Sequence, residues 1–250
     1  MNSLRPHLWF CCVVLWGFPL LACASEIRVA VASNFKPAMV PLVNMFESLS
    51  EHEVTVSYAS TGKHFAQISN GAPFDLFLAA DVQSPRLLED SGHAVSGSRF
   101  TYATGRLVLW SRSTNTEADV TKILRNRDFR FLSIANPRTA PYGRAAKQLL
   151  QNLDLWDQLE GQIVRGENVA QAYAFVSTGN AEYGLLSLSQ VSSPAGEAPG
   201  QAWLIPEDLY EPIDQQAAVI TNNPSTLEFA EFLRGSKAVR IIEKFGYSAP

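Results

Sequence analysis

IRVAVASNFKPAMVPLVNMFESLSEHEVTVSYASTGKHFAQISN (residues 27–70) contains the same local event twice. A short apolar run ends, small polar residues follow, and an amphipathic helix begins. IRVAVAS reads as a strand buried on both faces, as in a parallel sheet, with a helix over PAMVPLVNMFESLS. VTVSYAS repeats the strand, and a helix follows near HFAQISN. The pattern continues outward. FDLFLAA precedes VQSPRLLEDSG, and RLVLWSR, RFLSIAN, GQIVRGE and YGLLSLS are strand-like. GRAAKQLLQNL and VAQAYAFVST are helical between them, AAVITN is a late strand, and PSTLEFAEFLRG and KAVRIIEKFG close the chain as helices. Strands alternating with helices of this length predict βαβ units, an α/β fold and a parallel sheet.

The polar residues at these junctions form four segments: Ser33-Asn34, Ser60-Thr61-Gly62, Pro141-Tyr142-Gly143 and Asn168-Val169. A helix start exposes N–H groups without internal partners, at the positive end of the helix dipole. Four such starts aimed at one point would hold an anion without any charged side chain. Hydroxyls, amides and Gly dominate them, which favours capture of a small dehydrated anion over chemistry on a substrate. The segments come in two pairs separated by RLVLWSR. That predicts two lobes with the anion between them. AAVITN would return the chain to the first lobe, giving residues 26–105 with 216–250 as one lobe and 106–215 as the other. QVSSPAGEAPGQ (190–201) reads as a surface connection.

Each segment also has a plain structural reading. Ser33 or Asn34 can simply cap the helix that holds Pro37. Asn168 with Gln171 makes a capping box, so Val169 would offer only its backbone N–H and a wall. Pro141 suits a helix start because its missing N–H has no partner there anyway. Tyr142 can be core or a hydrogen-bond donor, and an exposed aromatic between lobes favours the donor. Ser60-Thr61-Gly62-Lys63 invites a phosphate-loop reading, but Ser57 stands where that motif needs Gly and His64 where it needs Ser or Thr. A hydroxyl-rich turn remains, with Lys63 in solvent.

Enzymatic readings find little support. The four His are unpaired at metal spacing, and no G-x-S-x-G elbow is present. Asp75 and Asp81 bracket a strand, where Asp81 suits a helix cap better than a general acid. Without Arg5 the remaining 19 Lys and Arg face 24 Asp and Glu, a net charge of −5. That disfavours nucleic acid and anionic membrane as partners. It also means an anion would be held by local dipoles against the overall charge.

The N-terminus reads as a signal peptide over residues 1–24. LWFCCVVLWGFPLL (8–21) is 14 residues long, short for a membrane span, and Ala22-Cys23-Ala24 is an A-x-A cleavage site. Leu20-Leu21-Ala22-Cys23 also resembles a lipoprotein signal that would retain an acylated Cys23, although Leu21 is unusual there. All three Cys lie in this leader, so cleavage after Ala24 leaves a mature chain without disulfides or Cys-ligated metal. Its stability must then come from its core.

VAVASNF, YASTGKHFAQISNGAPFDLFLAADVQSP, SRFTYATGRLVLWS, IANPRTAPYG, EGQIVRGENVAQA and KAVRIIEKFGY cover nearly the whole mature chain. In these segments the chain resembles the periplasmic molybdate-binding proteins of ABC importers. NGAPFDLFLAAD is the most specific of them. The resemblance implies a two-lobed periplasmic binding protein fold of type II, each lobe a mostly parallel sheet flanked by helices, with a tetrahedral oxyanion in the interlobe cleft. It implies capture of molybdate or tungstate for an ABC permease, by a monomeric, non-enzymatic protein without a cofactor. Its contacts fall on Ser33, Asn34, Thr61 with Ser60 beside it, Tyr142 and Val169. Many members carry a ligand Tyr on the strand that here reads GLLSLSQ, where Ser187 stands. A subset carries it after the Pro instead, as Tyr142 does here. Sulfate or phosphate is the alternative ligand.

Overall fold

Ile27, Val29 and Val31 are fully buried on one face of the first strand, and Ala30 on the other. The structure is a computed structural model that describes residues 25–114, 117, 119–192 and 198–248. The expected signal peptide, with Cys23, lies outside the described residues. The first lobe runs β1 (Glu26–Ala32), α1 (Lys36–Leu49), β2 (Glu53–Ala59), α2 (Thr61–Ser69), β3 (Leu76–Leu78), α3 (Gln83–Asp90) and β4 (Phe100–Gly105). Ser33–Phe35 form a 3-10 turn between β1 and α1. Helix α1 turns Ala38, Met39, Leu42 and Phe46 inward, the spacing of one helical face, and tolerates Pro41 in its interior.

The chain then crosses to the second lobe through Arg106. That lobe holds β5 (Leu107–Ser111), α4 (Val120–Asn126), β6 (Leu132–Ala135), α5 (Pro141–Asn152), α6 (Trp156–Leu159), β7 (Ile163–Gly166), α7 (Val169–Ser177), β8 (Tyr183–Ser187), α8 (Leu188–Val191) and β9 (Gln201–Leu204). The chain recrosses into β10 (Ile213–Val219), α9 (Pro224–Arg234) and α10 (Ser236–Lys244).

Among the described residues there are two five-stranded sheets, ordered β2-β1-β3-β10-β4 and β7-β6-β8-β5-β9. In each, three strands run parallel, as the βαβ reading requires. β10 in one sheet and β5 in the other run against that set, and β4 and β9 pair antiparallel on their far sides, so these edge strands run in the sense of the parallel set. β10 and β5 belong to the crossings: a strand that enters a lobe from its neighbour lies against the parallel set in the opposite sense. Strands β4 and β9 carry weak apolar alternation and were not separable from loop by periodicity. The return strand starts at Ile213, ahead of AAVITN, because Ile213, Asp214 and Gln215 already pair with β4. Of the expected connection at 190–201, Gln190 and Val191 are helical and Gln201 opens β9.

His64 on α2 is fully buried against Phe74 and Phe77, with one 3.0 Å side-chain bond to Gln67. Burial lowers its pKa, partly offset by hydrogen bonding. The native state therefore resists a proton that the unfolded chain accepts. Stability should fall as pH drops below about 6.5, and keep falling until the lowered native value is passed. His64→Met should flatten that loss. Urea unfolding of both chains at pH 7.5 and 5.5 checks this, and an equal acid loss in the two would place the sensitivity elsewhere.

Candidate functional site

The parallel strands of both sheets end on the cleft between the lobes, and the helices that follow them start there. One small cavity, of about 10 Å³, is lined by Ala32, Ser33, Asn34, Ser60, Thr61, Ala80, Ala140, Pro141, Tyr142 and Val169. All six residues singled out in the sequence, Ser33, Asn34, Ser60, Thr61, Tyr142 and Val169, line it. They come from four helix starts, two in each lobe. None of the lining residues carries a charge at neutral pH.

Capping does not explain the polar residues of the first lobe. Neither Ser33 nor Asn34 makes a side-chain cap bond. Ser60 occupies the cap position of α2 without a cap bond. Among the described residues the Ser33 and Ser60 hydroxyls have no partner, although both residues are buried. The Thr61 hydroxyl accepts from the Ala80 N–H at 3.0 Å, which leaves its own hydrogen to give. The Asn168 side chain does cap α7, accepting from Gln171, as its plain reading predicted. Beside it, Val169 contributes an N–H of the first turn and an apolar wall. The N–H groups of Asn34, Thr61 and Tyr142 likewise sit where no intrahelical acceptor exists.

The Asn34 amide is engaged within the protein. Its Nδ2 donates to Gln215 Oε1 at 2.9 Å and to Tyr247 Oη at 3.0 Å, so both hydrogens are engaged. What Asn34 offers the cavity is its backbone. Tyr142 is not the exposed aromatic expected: it is 1% exposed, because the lobes close over it. Its hydroxyl meets Gln215 Nε2 only at 3.5 Å, a long contact that leaves the phenol proton free. Gly105 makes room for that hydroxyl, since a Cβ there would lie 2.0 Å from the Tyr142 oxygen. Burial, with neighbouring tyrosines, pushes the Tyr142 phenol well above its ordinary value. It stays a donor across the physiological range.

Ser187 is fully buried but outside the cavity lining, and its oxygen lies 3.1 Å from Ser189 Oγ. Sequence reading missed Gln215, Tyr102, Tyr247 and Ser189. They surround the cavity without lining it, and a Gln in the polar run of IDQQAAV carries no signal of that kind. Asp81 accepts from the Ser84 N–H at the start of α3, as its capping role predicted, and pairs with Arg144 across the cleft. A larger groove beside this pair is lined by Asp81, Glu211 and Asp214 around Arg144. Its carboxylates repel anions, so the smaller uncharged cavity is the better anion site despite its size.

The arrangement can hold a compact anion by fixed dipoles. It offers no general acid or base, since the one titratable group in the lining, Tyr142, is a raised phenol.

The sequence model of the family described as bacterial extracellular solute-binding protein matches residues 27–248. The molybdate-binding protein ModA of Azotobacter vinelandii is 46% identical over 241 residues, 94% of this chain and 96% of that one. The solved structure of the Azotobacter vinelandii periplasmic molybdate-binding protein superposes with a TM-score of 0.86 at 39% identity, covering 90% of this chain and all of the other. The sulfate-binding protein SubI of Mycobacterium tuberculosis reaches 0.72 at 14% identity, covering 90% and 87%, and that likeness speaks for the fold alone.

Removing only the phenol oxygen, in Tyr142→Phe, should weaken anion binding. A hydrogen bond to a charged group contributes about 1.5–3 kcal/mol, or roughly 10- to 150-fold in affinity. Ser187→Ala should change little. Calorimetric titration of both variants decides: a wild-type Tyr142→Phe beside a weakened Ser187→Ala would move the contact to the strand. Because no lining group titrates near neutrality, affinity should also stay level between about pH 6 and 9. A titration step in that window would reveal an ionisable ligand group that the cavity does not contain.

Proposed function

We propose that this chain, which belongs to the bacterial extracellular solute-binding proteins, captures molybdate in the periplasm and delivers it to an ABC-type permease. The observation that carries the proposal is the uncharged cavity at which four helix starts from two lobes converge. The 46% identity to a molybdate-binding protein over nearly the whole of both chains supports the choice of anion. The anion is cargo. No bond in it is made or broken, no cofactor is called for, and the protein is not an enzyme.

In this reading Ser33, Ser60 and Thr61 donate from their hydroxyls, and Asn34, Thr61, Tyr142 and Val169 from backbone N–H groups. The Tyr142 hydroxyl adds a donor in place of the strand Tyr absent at Ser187. Residues 1–24 act as an export signal, and the mature protein works as a monomer. Lobe boundaries fall at Arg106 on the way out and near Ile213 on the way back.

Tungstate matches molybdate in charge and shape and should bind almost equally. Sulfate and phosphate are smaller. Donors held rigidly on two lobes cannot all reach a smaller anion, and each one missed leaves a buried polar group unpaired. Calorimetry of the mature chain with molybdate, tungstate, sulfate and phosphate tests this. Molybdate and tungstate should bind with similar affinity and sulfate far more weakly. Sulfate binding as tightly as molybdate would refute the proposal. Since the donors divide between lobes, molybdate should also favour the closed state. Small-angle scattering should show a smaller radius of gyration with molybdate, and an unchanged profile at saturation would oppose closure by the anion.

A further inference from the structure

Tyr247 stands at the C-terminal end of the described chain, far in sequence from every cavity residue, yet it is 5% exposed and sits in the seam between the lobes. Two features put it there. Ser248 pairs with Thr104 in a short antiparallel bridge, through bonds of 2.9 and 3.0 Å, which fixes the C-terminal segment to β4 one residue before Gly105, where that strand ends. The Tyr247 ring meets Phe35 edge-on at 5.3 Å, against the turn that carries Ser33 and Asn34.

Its hydroxyl then touches both lobes. It accepts from the Asn34 amide at 3.0 Å, and its oxygen lies 3.0 Å from the Asn34 carbonyl. On the other side it lies 2.9 Å from Ser189 Oγ on α8 of the second lobe. Ser189 Oγ itself donates to the Asn34 carbonyl at 2.9 Å, across the cleft. The two hydroxyls and the Asn34 peptide and amide thus form one closed, buried set. It can be complete only when the second lobe lies against the first. Asn34 is the residue whose backbone faces the cavity.

We propose that Tyr247 is a positioning residue for the anion site: with Ser189 it locks the Asn34 turn when the lobes meet, and so sets how long the closed, loaded state lasts. Tyr247 does not touch the anion. It acts by holding the Asn34 N–H in place and by making opening break buried hydrogen bonds. A group that forms its contacts only after the lobes meet slows release and leaves capture nearly alone. The inference rests on the molybdate-binding reading above.

The test uses Tyr247→Phe, which keeps the ring against Phe35 and removes the hydroxyl, with Ser189→Ala as its partner. Stopped-flow measurement with molybdate should show release faster by about 10-fold in Tyr247→Phe, the effect of one buried hydrogen bond. Association should change less than about 3-fold. Ser189→Ala should speed release similarly, and the double variant should be no faster than either single one by more than a small factor, because the three groups form one unit. Thermal unfolding without anion shows whether the variants are folded. A release rate equal to wild type in a folded Tyr247→Phe overturns the inference, as do fully additive effects of the two substitutions. Wild-type protein that fails to bind molybdate at all refutes the earlier reading instead.

Discussion

A doubly charged oxyanion can be held without a countercharge only where many fixed dipoles converge on it and water is shut out. No single helix start supplies enough donors, and each lobe brings only two helix starts to the cavity. The cavity therefore exists only as a joint product of both lobes. Its position follows from the sheets. In an open α/β sheet the strands deliver their following helices at one edge, and ligands collect beyond the carboxyl ends of the strands. Two such edges facing each other bring Ser33, Thr61, Tyr142 and Val169 to one cavity although they span more than half the sequence.

Neutral donors need support, because a hydroxyl or amide turns freely. The structure provides it from behind. Ala80 takes the acceptor side of Thr61 and so directs its hydrogen elsewhere. Gln215, fully buried on the return strand, takes bonds from Asn34 and from Tyr102 on its carbonyl and turns its amide to Tyr142. Burial raises the phenols of Tyr102, Tyr142 and Tyr247 above their ordinary value, so none becomes an anion that would compete with the ligand. A buried network of this kind is worth having only if its members are satisfied. Here its connections run through both crossings, β4 and β10, so cavity shape and hinge geometry are tied together.

Contacts on the rim have a different weight. Arg144 and Asp81 pair across the cleft, but Arg144 is 41% exposed, and such a pair contributes about 0–1 kcal/mol. The Gly62 N–H donates to the Thr139 carbonyl at 2.9 Å, and a Cβ on Gly62 would lie 3.0 Å from that carbonyl. This backbone contact limits how near the lobes can come beside Thr61 and Ala140. Rim contacts thus set the separation of the lobes, while the buried seam and the anion itself govern whether they stay together.

The local events were legible in the sequence. Apolar runs of strand length, each followed by small polar residues and a helical period, marked the α/β fold and the four helix starts. Those signals depend on residues close together in the chain. The edge strands β4 and β9 were not legible, because their burial depends on which lobe the crossing strands join. Nor was the role of Asn34. Sequence offered its amide to a helix cap or to the anion, and the fold used both hydrogens for Gln215 and Tyr247, 181 and 213 residues away. Tyr142 was legible as a helix-start residue beside the cleft, but its burial needed the second lobe to close on it. Sequence by itself determined which residues could donate, since donor chemistry and helix starts are local. Tertiary structure decided where those donors point, since a rotatable group takes its direction from partners that only the folded chain brings within reach.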